Sequence, residues 1–81
     1  MEFVVYILFS PGHNTTYTGF TSNLITRFKF HNELSKKGHT LKFRPWVVLH
    51  VEFYADRKSA MSREKYLKTG VGREFIKTLL P

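Results

Sequence analysis

The sequence predicts a small α/β-class domain of the α+β kind: one three-stranded sheet, antiparallel or mixed, flanked by helices in the order β-β-α-β-α-α. Three observations lead there. An apolar run from Phe3 to Phe9 is followed, across a short turn, by a second β-rich stretch, and the pair reads as a hairpin. A third β-branched and aromatic run spans Trp46 to Tyr54. Elsewhere apolar residues recur at helical spacing between capping residues and glycines. A hairpin joined to a later strand cannot make an all-parallel sheet, so helices must cover a small sheet instead.

Each element has its own reason. Phe3–Phe9 is too short for a typical helix and apolar throughout, which predicts a strand covered on both faces. Ser10-Pro11-Gly12-His13-Asn14 is a turn by composition, and Thr15–Phe20 resumes strand propensity. Thr21-Ser22-Asn23 offers capping side chains to a helix on which Leu24, Ile25, Phe28 and Leu34 recur, running to about Lys37 with Gly38 as its stop. Lys36–Lys42 reads as an exposed basic loop, and the third strand follows Pro45. Asp56 caps a helix running to about Thr69 with Gly70 beyond it. Gly72 precedes a short last helix with Phe75, Ile76, Leu79 and Leu80 on one stripe.

Length and composition narrow the function. Eighty-one residues make one domain, 1–81, with a thin core and no room for a separate cofactor domain. The absence of Cys excludes a disulfide scaffold and any thiolate zinc site. A hydrophobic content of 42%, with aromatic residues making up 16% of the chain, is enough to close a core and argues against disorder. Thirteen Lys and Arg against six Asp and Glu give +7, a field that attracts polyanions and above all nucleic acid. No apolar run approaches the ~20 residues that span a bilayer, and the N-terminus lacks a basic leader, so a cytoplasmic protein without membrane attachment is expected.

Several side chains sit where a purely structural reading does not put them. Glu64 has Ala60, Met61 and Leu67 as helix neighbours, which places a carboxylate at the edge of the face that should pack on the sheet. It could meet a hard divalent cation there, or pair with Lys68 four residues on, with Arg63 and Lys65 also close. Arg27 and His31 share one face of the first helix, a planar fork for a phosphate beside a group that can relay a proton near neutrality. Tyr6 and Tyr17 lie on the two arms of the hairpin and could stand side by side across it. Gly19 inside a strand marks a bulge or a close approach. Trp46 or Phe43, if exposed, could stack on an unpaired base, although packing is the commoner role for Trp46.

In order and spacing these residues resemble the GIY-YIG nuclease superfamily, in the small stand-alone group related to the catalytic module of the excision nuclease UvrC. Val5-Tyr6-Ile7 and Tyr17-Thr18-Gly19 stand for its two signature elements. Arg27 and His31-Asn32 resemble its arginine helix, and Ala60–Lys68 resembles its glutamate helix, so the likeness spans about Val4 to Phe75. The resemblance implies a three-stranded antiparallel sheet and hydrolysis of DNA phosphodiesters with a single divalent metal, Mg²⁺ or Mn²⁺. It implies Glu64 as metal ligand, Arg27 as phosphate clamp, and Tyr6, Tyr17 and His31 as the remaining catalytic residues. Tyr6 would be the base, Tyr17 a positioning residue and His31 the proton acceptor that a tyrosine needs. The chain departs from the pattern in having Phe20 where some members have lysine, and no late Asn. Arg73 or Lys77 could fill that gap.

The first reading is therefore a metal-dependent DNA endonuclease in repair or recombination, with branched or nicked DNA as candidate substrates. Phosphate contacts would come from Arg27, Lys36, Lys37, Lys42, Arg44, Lys68 and Arg73. A module of 81 residues carries no targeting domain, so a partner protein, a homodimer or DNA shape would supply selectivity. The second reading is a non-catalytic nucleic-acid-binding module of the same fold, and the third is a protein-binding domain whose charge serves solubility.

Overall fold

The computed structural model describes residues 2–34 and 39–81. Its elements are β1 (Phe3–Ser10), β2 (Thr15–Thr21), α1 (Leu24–Lys29) continued by a π-helical segment (Phe30–Leu34), α2 (His39–Lys42), β3 (Val47–Tyr54), α3 (Arg57–Leu67) and α4 (Gly70–Leu79). The expected order β-β-α-β-α-α holds. Its one addition is the helical turn α2, in the stretch the sequence presents as an exposed loop.

The three strands form one sheet in the order β2-β1-β3, and both pairings are antiparallel. The apolar run takes the centre because it alone can be covered on both faces, and Val4 through Ser10 are all buried. Alternation then sorts its side chains. Val5 and Ile7 pack with Ala60, Leu67 and Ile76 under α3 and α4. Tyr6 and Leu8 pack on the opposite face with Trp46, Tyr17, Leu24 and Phe28. Trp46 is thus a core residue, only 2% exposed, and does not serve as a base-stacking platform.

Four local readings change. Ile25 is 82% exposed, because it sits about 100° round the helix from Leu24 and off the buried stripe. α1 gives way to a π-helical turn after Lys29, which rotates the residues that follow. Gly70 begins α4 instead of ending α3: the Thr69 side chain caps the new helix by accepting from the Gly72 N–H at 3.3 Å. Gly72 lies inside α4, where a Cβ would collide with the Tyr66 carbonyl and the Leu67 backbone, so its smallness lets α4 fold tightly back on the end of α3. Arg63, next to Glu64 in the chain, serves another carboxylate. It forks onto Glu52 of β3 at 2.8 and 3.1 Å and lies over the rings of Tyr66 and Phe75.

Candidate active site

Tyr6 lies on the sheet face that α1 and the π segment cover, and the register puts Gly19, not Tyr17, directly opposite it. The two tyrosines are therefore diagonal neighbours, with ring centroids 6.4 Å apart, rather than a side-by-side pair. Gly19 has a definite task. A Cβ there would lie 2.5 Å from the Tyr6 hydroxyl, so the glycine is the gap through which the phenol reaches across β2.

The π segment carries His31 into the same place. Its imidazole is 2% exposed, its Nε2 is 3.0 Å from the Tyr6 hydroxyl, and its ring centroid is 4.8 Å from that of Tyr17. Burial, with the positive charges of Arg27 and Arg44, holds His31 below the ordinary imidazole range. A neutral ring at pH 7 can accept the Tyr6 proton at Nε2. Tyr6 is pushed the other way, up to about 12, by burial and by the neighbouring Tyr17 and Glu64, while the nearby Arg27 guanidinium pulls it back. Arg27 itself is exposed on α1, over the Phe30 ring and in hydrogen-bond reach of the Tyr6 hydroxyl.

Glu64 approaches from α3, whose apolar side packs on the other face of the sheet. Its side chain is 17% exposed, and Lys68 donates to it at 3.0 Å across one helical turn. Of the two options for Glu64, pairing with Lys68 is the one present, and its charge also reaches Tyr6. Among the described residues no three His, Asp or Glu side chains gather into a metal cage. A hard ion such as Mg²⁺ commonly keeps its waters and takes one or two carboxylates plus substrate phosphate, and a single half-buried carboxylate such as Glu64 has the donor chemistry for that mode.

The residues expected to contact DNA separate into groups. Lys68 and Arg73 line one groove with Thr16, Tyr17 and Thr18 of β2, and an adjoining hollow adds Asn14, Thr15 and Lys77. Arg73 has no carboxylate within ion-pair distance among the described residues. Lys42 is exposed beside the Phe43 ring. Arg44 turns inward: its Nε donates to the His31 carbonyl at 2.6 Å and its Nη2 to the Phe30 carbonyl at 3.3 Å. Lys36 and Lys37 lie outside the described residues.

Two further side chains, whose roles no sequence pattern announces, brace the site. Asn32 exchanges two hydrogen bonds with the backbone of Trp46, at 2.6 and 3.1 Å. An Asn inside a helix is a weak helix former whose amide often serves another backbone, and that was the available signal. Ser10, fully buried, donates to the Phe43 carbonyl at 2.6 Å and ties the end of β1 to the segment before β3.

The fold thus carries two tyrosines on its β-hairpin, an arginine and a histidine on the helical segment that follows, and a glutamate on a later helix. The model of the GIY-YIG catalytic domain matches residues 2–75, and the chain belongs to that family. Among relatives, a UPF0213 protein of Staphylococcus haemolyticus is 32% identical over 66 residues, 82% of this chain and 80% of that protein. A UPF0213 protein of Clostridium perfringens is 38% identical over 64 residues, 79% of this chain and 68% of that protein. The solution NMR structure of a UPF0213 protein from Bacillus halodurans shares the fold, with a TM-score of 0.58 at 24% identity over 98% of this chain and 85% of that one. No helix among the described residues is long and apolar enough to cross a membrane.

Proposed function

We propose that this chain is a divalent-metal-dependent DNA endonuclease, using Mg²⁺ or Mn²⁺, that hydrolyses phosphodiester bonds at the Tyr6/Tyr17/Arg27/His31/Glu64 site. The observation that carries the reading is the 3.0 Å contact between the Tyr6 hydroxyl and the Nε2 of a buried His31 on a member of a nuclease family. A tyrosine held at about 12 is a poor base alone. Linked to a neutral imidazole it becomes a relay: as the attacking water gives its proton to the Tyr6 oxygen, the Tyr6 proton passes to His31 Nε2. Arg27 clamps the phosphate oxygens through its planar fork. Glu64 would hold the metal, which supplies charge stabilisation at the phosphate and the leaving oxygen. Tyr17, its ring tilted against that of His31 beside the Arg73 groove, positions the strand. That groove, with Lys68, Arg73 and Lys77, gives the phosphates on one side of the cut a path along β2.

On this reading the substrates are branched or nicked DNA, in repair or recombination. Selectivity would then come from DNA shape, a partner protein or a second copy of the chain. One observation favours the competing reading of a non-catalytic binding module: the Glu64 carboxylate is already paired with Lys68. Incubating the protein with duplex, nicked and branched DNA and Mg²⁺ or Mn²⁺ decides between them. Metal-dependent strand scission that Glu64→Ala abolishes supports the nuclease; salt-sensitive binding without scission leaves the binding module.

A further inference from the structure

We propose that Arg44 and Asn32 are positioning residues that lock the π segment so that His31 presents Nε2 to Tyr6. A π turn closes i→i+5 and leaves carbonyls out of step with the α-helical ladder, and such turns recur at functional sites. Here the two carbonyls at its start, Phe30 and His31, are taken by one guanidinium, at 3.3 and 2.6 Å. On the other side of His31, the Asn32 amide grips both backbone polar groups of Trp46, a residue anchored in the core at 2% exposure. His31 is thus held from the residue before it, from its own carbonyl and from the residue after it. Its ring is left one place to go: against Tyr17 at 4.8 Å and in hydrogen-bond contact with Tyr6 at 3.0 Å.

The arrangement also has an electrostatic side. Among the described residues, the polar and charged groups facing His31 are Tyr6 from β1, Tyr17 from β2, Arg27 from α1 and Arg44 from the segment before β3. The two arginines both disfavour the imidazolium. The clamp that orients His31 therefore helps to keep it the acceptor that the proposed relay needs. The kinetic consequence rests on the nuclease reading; the positioning itself does not.

The test is NMR of the His31 ring in wild type, Arg44→Ala, Arg44→Lys and Asn32→Ala, with DNA-cleavage kinetics in parallel. In Arg44→Ala and Asn32→Ala the sheet amide signals should persist while the Tyr6–His31 contact is lost. The His31 titration should move upward in Arg44→Ala and less in Arg44→Lys, which keeps the charge without the fork. Cleavage should fall at least about tenfold in kcat with KM little changed, the acid limb of its pH profile should follow His31, and free guanidinium should restore part of the Arg44→Ala loss. Unmoved His31 signals in both alanine variants would overturn the proposal, as would a rise in KM alone, which makes Arg44 a phosphate contact. Unfolding of all three variants would equally overturn it, by making the clamp a general stability element. If wild type cuts no DNA but His31 is displaced as expected, the clamp stands and the nuclease reading fails.

Discussion

A buried tyrosine at about 12 beside a histidine held neutral is an unusual pair, because each is shifted away from the form that would carry charge. Burial dominates both shifts, and the 3.0 Å contact partners the Tyr6 hydroxyl with His31 Nε2, while His31 Nδ1 stays buried without a hydrogen bond among the described residues. Tyr6→Phe removes that contact and leaves Nε2 of a buried ring without its partner. The expected cost is about 1–3 kcal/mol in a denaturant titration, together with a loss of cleavage of at least about 10²-fold. A variant as stable and as active as wild type would remove Tyr6 from the site. These residues were legible because their types and order are distinctive. What was not legible is the diagonal offset of Tyr6 and Tyr17, which depends on register, and the inward turn of Arg44, which no local pattern encodes. A charged residue in a basic stretch reads as solvated until its carbonyl partners are seen.

At the scale of elements, one joint sets the two C-terminal helices against each other and another ties α3 to the sheet. The first is the α3–α4 corner, where Gly72 meets the backbone of Tyr66 and Leu67. Backbone cannot yield as a flexible side chain can, so Gly72→Ala should cost about 1–3 kcal/mol or more, read as a lowered Tm with the sheet spectrum of the folded state retained. The sequence reading placed both glycines near helix ends but mistook Gly70 for a stop, because a glycine after a helix and a glycine opening the next look alike without the Thr69 cap. The second joint is Glu52 of β3, which accepts from Arg63, His50 and Tyr54. Burial pushes the Glu52 carboxyl up, but these donors outweigh it and hold it at about 2. A carboxylate depressed in the folded state stabilises above its unfolded value of 4.5, and loses that contribution as pH falls toward about 2. Glu52→Gln should therefore be less stable than wild type at pH 7, by roughly 1–3 kcal/mol. The gap should close as the pH approaches 2; a gap that stays constant with pH would mean that the charge of Glu52 contributes nothing. This joint went unread because Glu52 on an alternating strand has the pattern of an ordinary solvent-facing residue.

Across the whole molecule, the strand count, the hairpin and the helix order followed from periodicity and caps, since each is a local property. The sheet order β2-β1-β3 follows from the fully apolar run having to be central. The +7 charge pointed to a polyanion without saying where it binds, and the structure separates the cations into inward and outward sets. Arg44 serves the π segment, whereas Lys68 and Arg73 line the groove beside Tyr17. If that groove carries phosphates, binding to DNA should weaken steeply with salt, and Arg73→Ala should lower the slope of log K against log salt by about one. An unchanged slope would move the DNA path elsewhere. The central claim is that these parts cut DNA through Glu64. The direct measurement is scission of nicked and branched DNA by wild type and Glu64→Gln, with and without Mg²⁺ or Mn²⁺, at equal fold content. The account predicts cleavage by wild type that needs the metal and falls at least about 10²-fold in Glu64→Gln, while DNA binding is retained. Equal cleavage by the two proteins, or none by wild type on any of these substrates, would contradict it.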